Sequence, residues 1–393
     1  MVRRIESGAR TLPTRLGLAV LCLGVAACLA ILEPLRPPPL PSDLAIKPSW
    51  AALQPNDSLQ LEAATVEAGG DTVPLGPVDW SARSGAVTVD PAGRATARRV
   101  GVDTVIASLG ELGGYAIVVV APPVLVGAGD IGVCGSSNDE ATAAILDTIP
   151  GVVFTAGDNA YQDGTAHDYA WCYAPSWGRH RARTRPTPGS HDYHTPGAYP
   201  YFAYFGVTAG DTGKGYYSYD LGTWHVVAMN SIIRHGAGSP QEQWLRADLA
   251  AHSTQCTVAY WAFPRFSSGV HGNDTTMTAI WQALYDGGAD VVISGHDHIY
   301  ERFALQDPHG TRDATRGIRE FVVGTGGGGL TTVVNVQPNS EVRISGTFGV
   351  LKLTLQPTSY SWRFIAARGS STTDFGTTTC HGPVMPGFTS NRA

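Results

Sequence analysis

Between residues 124 and 298 the chain repeats one pattern: a near-continuous apolar run that stops at a glycine and continues at once into a reactive side chain. Val124-Leu-Val-Gly-Ala-Gly129-Asp130 is one such run, and Val152-Val-Phe-Thr-Ala-Gly157-Asp158 is another. Val291-Val-Ile-Ser-Gly295-His296-Asp297-His298 is a third. Strands buried on both faces read as runs of this kind. Helical patterns at Asp139–Thr148, Gln241–His252 and Thr276–Tyr285 lie between them. Apolar strands alternating with helices predict an α/β layered architecture over residues 122–393. In such sheets reactive groups gather at the C-terminal ends of the strands. The tail returns to strand alternation between Phe348 and Phe364.

Four motifs carry the chemistry: Gly129-Asp130-Ile-Gly132, Gly157-Asp158-Asn-Ala-Tyr161, Gly189-Ser190-His191-Asp192-Tyr193 and Gly295-His296-Asp297-His298. Carboxylates, imidazoles and a phenol delivered by separate strands to one sheet edge make a hard-metal site. Any single Gly-Asp pair is an ordinary turn; four motifs in order, each after a strand, are a pattern.

Over about residues 123–368 these motifs resemble the calcineurin-like metallophosphoesterases, and most closely their purple acid phosphatase branch. Tyr161, three residues after Asp158, and Gly295-His-Asp-His-Ile-Tyr-Glu-Arg302 carry that resemblance, together with Ala259-Tyr-Trp-Ala-Phe-Pro-Arg-Phe-Ser-Ser-Gly-Val-His271. The resemblance implies a sandwich of two sheets flanked by helices. It implies a first metal, Fe³⁺, on Asp130, Tyr161 and His298, with Asp158 bridging to a second, divalent ion (Zn²⁺, Mn²⁺ or Fe²⁺). The second ion would take Asp158, His296, an Asn at position 190 and a His at position 262. This chain has Ser190 and Ala262 there. Two of four expected ligands remain, while the first site keeps all of its own. The expectation is a metal-dependent hydrolase of phosphate monoesters with a degenerate second site and weak activity. The alternatives are an inactive surface-binding protein on the same scaffold, or a phosphodiesterase. Asp192 and His194 stand near enough in sequence to help recruit the second ion.

His191 corresponds to the family's proton donor or phosphate-binding histidine, and His271 to a second substrate-facing one. An imidazole titrating near neutrality can protonate a leaving alkoxide. Arg265 is either a phosphate partner or a structural residue. His225, inside an apolar strand, reads as a satisfied core residue, and Trp261, Tyr300 and Phe303 as packing. Gly324-Thr-Gly-Gly-Gly-Gly-Leu330 lacks the Lys-Ser/Thr ending of a nucleotide loop and reads as a flexible rim of the site.

The N-terminal third reads differently. Residues 1–15 are basic, Leu16–Leu32 is an apolar run, and residues 33–43 are Pro-rich. A positive flank before an apolar stretch is an export signal or membrane anchor. Val25-Ala-Ala-Cys28 also resembles a bacterial lipobox. Export places the remainder outside the cytoplasm, where disulfides persist. Of three possible pairings among Cys134, Cys172, Cys256 and Cys380, the favoured one is Cys134–Cys172 with Cys256–Cys380. Residues 44–121 read as short punctuated strands, an all-β sandwich. The stretch from Val78 to Ala97 resembles a bacterial immunoglobulin-like module of group 2. A net charge of −6 argues against nucleic acid as a partner, and the family resemblance implies a phosphorylated small molecule as the substrate.

Overall fold

The computed structural model describes residues 44–66, 72–74, 77–367 and 369–382. The basic N-terminus, the apolar Leu16–Leu32 run and the Pro-rich segment lie outside the described residues, and with them the anchor and lipobox expectations. Among the described residues no helix is long and apolar enough to cross a membrane. The described residues divide into two compact units, one within residues 44–51, 58–96 and 102–118, the other within residues 52–57, 97–101 and 119–382.

From Leu44 to Val120 every described regular element is a strand. The longest are Gly101–Leu109 and Leu112–Val120, neighbours in a four-stranded sheet. Asp103, only 1% exposed, organises the turn that precedes Val87. Its carboxylate accepts from the backbone N–H groups of Arg83 (2.9 Å), Ser84 (2.8 Å) and Val87 (2.9 Å). Burial alone would raise this carboxyl, but the Ser84, Val87 and Arg83 donors hold it below the usual carboxylate range. A depressed folded-state pKa stabilises the fold above the ordinary value of about 3.9, and that stabilisation is lost as pH falls through the lower folded value. Asp103→Ala is expected to cost about 2–3 kcal/mol near neutrality, because buried donors lose their acceptor. The same variant should lose less stability than the natural chain on acidification below about pH 4. Urea unfolding at neutral and acid pH measures both; an unchanged midpoint at neutral pH would refute the assignment.

The larger unit is built on two sheets. In the six-stranded sheet, Thr184–Thr187, Val152–Ala156 and Val124–Ala128 run parallel, in that order. Gly349–Gln356, Ser359–Ala366 and Phe375–Thr379 extend it antiparallel. In the seven-stranded sheet, Trp224–Ala228, Cys256–Trp261, Val291–Ser294 and Arg319–Val323 form the parallel centre. Tyr217–Leu221 closes one edge antiparallel, and Tyr300–Phe303 with Ser340–Ile344 the other.

The inner faces share one core, in which Phe154, Tyr260, Ile293, Phe321 and Leu353 are all buried. Phe154 and Tyr260 meet across it with ring centroids 5.7 Å apart. The outer face of the seven-stranded sheet is covered by helices Pro240–Ala251 and Thr278–Asp286, through Leu245, Leu249, Ile280, Trp281 and Leu284. Both faces are thus covered, which is why Cys256–Trp261 and Val291–Ser294 are buried at every position.

The favoured cysteine pairing is the one found. Cys134 is bonded to Cys172, and Cys256 to Cys380. The second bond joins the start of a strand in the seven-stranded sheet to the residue after the last strand of the six-stranded one.

Candidate metal centre

Every sequence motif follows the last residue of a parallel strand, so the reactive residues collect at one edge, where the two sheets meet. The meeting is close. Gly129 donates its N–H to the Val323 carbonyl at 2.9 Å. A Cβ on Gly295 would run into the Ala156 carbonyl, so only glycine lets these strand ends approach. The turns that follow are tight enough to put Asp130 (φ 62°), Asp158 (φ 48°) and His296 (φ 66°) in the left-handed region. Non-glycine residues there cluster at sites where geometry is over-determined.

Three donor atoms converge. Tyr161 donates its hydroxyl to Asp130 Oδ1 at 2.8 Å. His298 Nε2 lies 3.1 Å from the same oxygen and 3.2 Å from the Tyr161 hydroxyl. His298 Nδ1 donates to the Gly329 carbonyl; a carbonyl can only accept, so the proton on this nitrogen is assigned and Nε2 faces the other two. Asp130 is fully buried and Asp158 nearly so. The backbone N–H of His296 donates to Asp130 Oδ2 (2.7 Å), and that of His191 to Asp158 Oδ1 (2.7 Å).

The buried groups shift one another's protonation. Burial and the neighbouring Asp130 and Asp192 push the Asp158 carboxyl well above the usual range. Burial would also raise Asp130, but His298, His296 and Tyr161 hold it low. Burial works against a charged His298, yet Asp130 pushes it up to about 9. Burial pushes His296 down to about 4. Burial with Asp130 and Asp158 drives the Tyr161 phenol well above its ordinary value. Protons on these groups balance the buried charge in the metal-free chain. Ligand atoms about 2 Å from one ion stand about 3 Å from each other, which is the spacing of Asp130 Oδ1, Tyr161 Oη and His298 Nε2. The donor set of carboxylate, phenol and imidazole fits a hard trivalent or divalent ion.

The neighbouring positions are poorer in donors. Ser190 Oγ is 3.4 and 3.5 Å from the two oxygens of Asp158. Ala262 is fully buried, its methyl packed where a Cβ on Gly157 would have to go. The His296 ring lies against Phe263 (4.4 Å) and His271 (4.1 Å). Asp192 is not available to a second ion. Its oxygens accept from the Gly189 N–H (2.8 Å), the Asn159 amide (2.9 Å) and the Tyr169 hydroxyl (2.5 Å), which tie the third motif to the second. His194 faces the Gln162 carbonyl (3.3 Å) and Asp163 (3.2 Å).

His191 stands over Tyr161, ring centroids 4.2 Å apart, and donates from Nδ1 to the Gln162 carbonyl at 2.7 Å. His271 Nδ1 is 3.0 Å from Asp297 Oδ1, which also accepts the His271 backbone N–H at 2.9 Å. Arg265 is structural: it donates to the Pro308 carbonyl (3.1 Å) and lies over the Phe266 ring (4.3 Å). His225 is buried with both nitrogens engaged, and the Gly324–Leu330 run is no loose rim. Gly326 donates to the Gly129 carbonyl (2.9 Å), Gly328 to that of Asp130 (2.7 Å), and Gly329 orients His298.

Sequence reasoning missed the carboxylates behind the Pro264–His271 loop. Glu320 accepts from the Arg265 and Phe266 N–H groups (3.1 Å each) and Glu301 from that of Ser268 (2.7 Å). Only their placement in otherwise apolar strands hints at this.

Residues 124–300 match the family model described as calcineurin-like phosphoesterase. The chain carries a calcineurin-like phosphoesterase domain. The domain is similar to purple acid phosphatase 15 of Arabidopsis thaliana, at 28% identity over 211 residues, which is 44% of this chain and 40% of that protein. It is also similar to purple acid phosphatase 22 of the same plant, at 36% identity over 98 residues, 23% of each chain. The chain thus spans less than half the length of these relatives. In three dimensions it resembles a purple acid phosphatase from yellow lupin seeds, with a TM-score of 0.56 at 15% identity. That match covers 86% of this chain and 75% of the lupin protein.

Proposed function

We propose that the protein is an exported, metal-dependent phosphatase acting on phosphate monoesters, with one well-formed metal position and a weakened second. The observation that carries this is the convergence of Asp130, Tyr161 and His298 within 2.8–3.2 Å of one another, beside Ser190 and Ala262. Asp130, Asp158, Tyr161 and His298 would hold Fe³⁺, and Asp158 with His296 is what remains for a second ion. Such ions polarise the phosphoryl group and screen the charge of the displacement.

The remaining work falls to the chain's own side chains. Because a carbonyl takes the Nδ1 proton of His191, Nε2 is the nitrogen left to meet the leaving-group oxygen. Asp297 fixes His271 in the same way, leaving its Nε2 toward substrate oxygens. Residues 44–121 would serve as an immunoglobulin-like spacer between the apolar Leu16–Leu32 segment and this domain; their all-strand composition supports it.

The test is an assay of 4-nitrophenyl phosphate with purified protein, together with its visible spectrum. A phenolate bound to ferric iron gives a charge-transfer band. His191→Ala is expected to lower kcat by about a hundredfold or more, as general acids contribute, while the band persists. The second reading, a binding protein that no longer turns over phosphate esters, is favoured by Ser190 and Ala262. It prevails if the natural chain gives neither turnover nor colour.

A further inference from the structure

A buried titratable group that the metal centre does not use lies at the other end of the seven-stranded sheet. His225 is the second residue of strand Trp224–Ala228, whereas the motifs follow the last residues of its parallel neighbours. Its side chain is 1% exposed, and both ring nitrogens face carboxylates. Nδ1 is 3.0 Å from Asp220 Oδ1, and Nε2 is 2.8 Å from Asp248 Oδ2. Asp220 stands directly opposite His225 on the edge strand Tyr217–Leu221. Asp248 lies in the last turn of helix Pro240–Ala251. One ring thus joins two strands and a helix. An ionised carboxylate only accepts, and a neutral imidazole has a single N–H to give. Serving both carboxylates takes the imidazolium, with a proton on each nitrogen.

We propose that His225 is a proton-held latch, which as an imidazolium ties the edge strand Tyr217–Leu221 through Asp220 and the helix end through Asp248, and which lets go of Asp220 when the proton leaves at higher pH. The choice of Asp220 follows from burial. The Asp248 side chain is 8% exposed and that of Asp220 is 60% exposed. A neutral ring keeps its one N–H on the buried carboxylate, because stranding that group costs more, while water takes over Asp220. Ser218, on the same edge strand, holds the other Asp248 oxygen at 2.8 Å. The strand being held also reaches the site's surroundings. Tyr217 donates to the Pro186 carbonyl at 2.8 Å, and strand Thr184–Thr187 leads into the Gly189-Ser190-His191 motif.

The other groups around the ring do not replace this proton. His252, the exposed cap of the same helix, stacks on His225 with centroids 4.3 Å apart and gives its own Nδ1 proton to the Asp248 carbonyl at 2.8 Å. On the parallel neighbour strand the facing residue is Thr257, which is uncharged. Asp290 behind it is occupied with the Thr257 N–H (3.0 Å) and His381 (3.5 Å). Burial works against a charged His225, but Asp248 and Asp220 hold its pKa above the ordinary value. A raised folded-state pKa contributes stability that is fully present below about pH 6.5 and lost as pH rises through the folded value. Nothing in this rests on phosphate hydrolysis.

The test follows the histidine ring resonances of the full chain by NMR from about pH 5 to about pH 9. His225 is identified as the resonance missing from His225→Gln or, if that variant does not fold, as the one displaced by His252→Ala. Its midpoint is expected above about 6.5. Asp220→Asn, at an exposed side chain, should weaken proton binding by about two- to fivefold, the range of an exposed ion pair. His252→Ala should leave the midpoint above about 6.5, since that ring holds no proton of the latch. Amide hydrogen exchange, corrected for its intrinsic pH dependence, reads the strand. Protection of Tyr217–Leu221 should fall between about pH 6 and pH 9 in the natural chain and stay flat in Asp220→Asn. A midpoint at or below about 6.5, a midpoint unmoved by Asp220→Asn, or strand protection independent of pH in the natural chain overturns the proposal.

Discussion

Replacing Ser190 by Asn and Ala262 by His together is expected to raise turnover of 4-nitrophenyl phosphate by at least about a hundredfold, the scale of one strong electrostatic stabiliser. In free energy that is about 2.7 kcal/mol of barrier. The argument is local. Asp158 and His296 remain on the proposed second metal, and both missing donors belong to that ion alone. Ala262 directly follows the last residue of a buried strand, with its methyl beside Gly157, so a longer side chain there starts next to the second motif. Ser190 already lies within 3.5 Å of both Asp158 oxygens, so a longer amide at that position reaches the same space. Groups that act as one unit are not additive, so each single substitution should recover far less than the pair. Metal content should rise in parallel, from one tightly held ion toward two. Fast turnover by the natural chain with two ions bound would sink the idea of a weakened centre. No turnover by either chain would move the weight to the binding-protein reading.

Loss of the Cys256–Cys380 bond is expected to be the most damaging change to stability away from the site. The bond spans 124 residues, against 38 for Cys134–Cys172. Loop-closure entropy assigns about 5 kcal/mol to the longer span and about 4 kcal/mol to the shorter, before native-state effects. A whole domain's net stability is only about 5–15 kcal/mol. Cys256→Ala with Cys380→Ala should therefore bring unfolding close to working temperature, and should cost more than the Cys134–Cys172 pair. Urea titration of the two double variants ranks them. A Cys256/Cys380 variant within about 1 kcal/mol of the natural chain would show that the sheets hold their spacing without the bond.

Much of the candidate metal centre was legible because its signal is local. Asp130, Asp158, Tyr161 and His298 each stand at a fixed offset from a glycine that ends an apolar strand, and strand ends are where a layered sheet presents side chains. The helices at 138–147, 240–251 and 278–286 carried periodic apolar positions and were readable to within two residues. What escaped notice depends on partners distant in sequence. Gly329 orients His298, and Glu301 and Glu320 hold the loop around Ser268 and Phe266, yet none of these has a neighbour in sequence that advertises the contact. Phe375–Thr379 carries almost no apolar alternation and is a strand only because Ser359–Ala366 offers it an edge. Asp192 looked like a spare ligand by adjacency, but burial turned it into an anchor for Gly189 and Asn159.

The left-handed turns at Asp130, Asp158 and His296 have a last implication. Holding such backbone costs on the order of 1 kcal/mol per residue, and these turns are dictated by the glycines and by the abutting sheets, not by the side chains at positions 190 and 262. A lineage that lost those two ligands would keep the mould in which they were cast. On the proposed reading such a centre would be dormant rather than dismantled, and the road back would run through two codons.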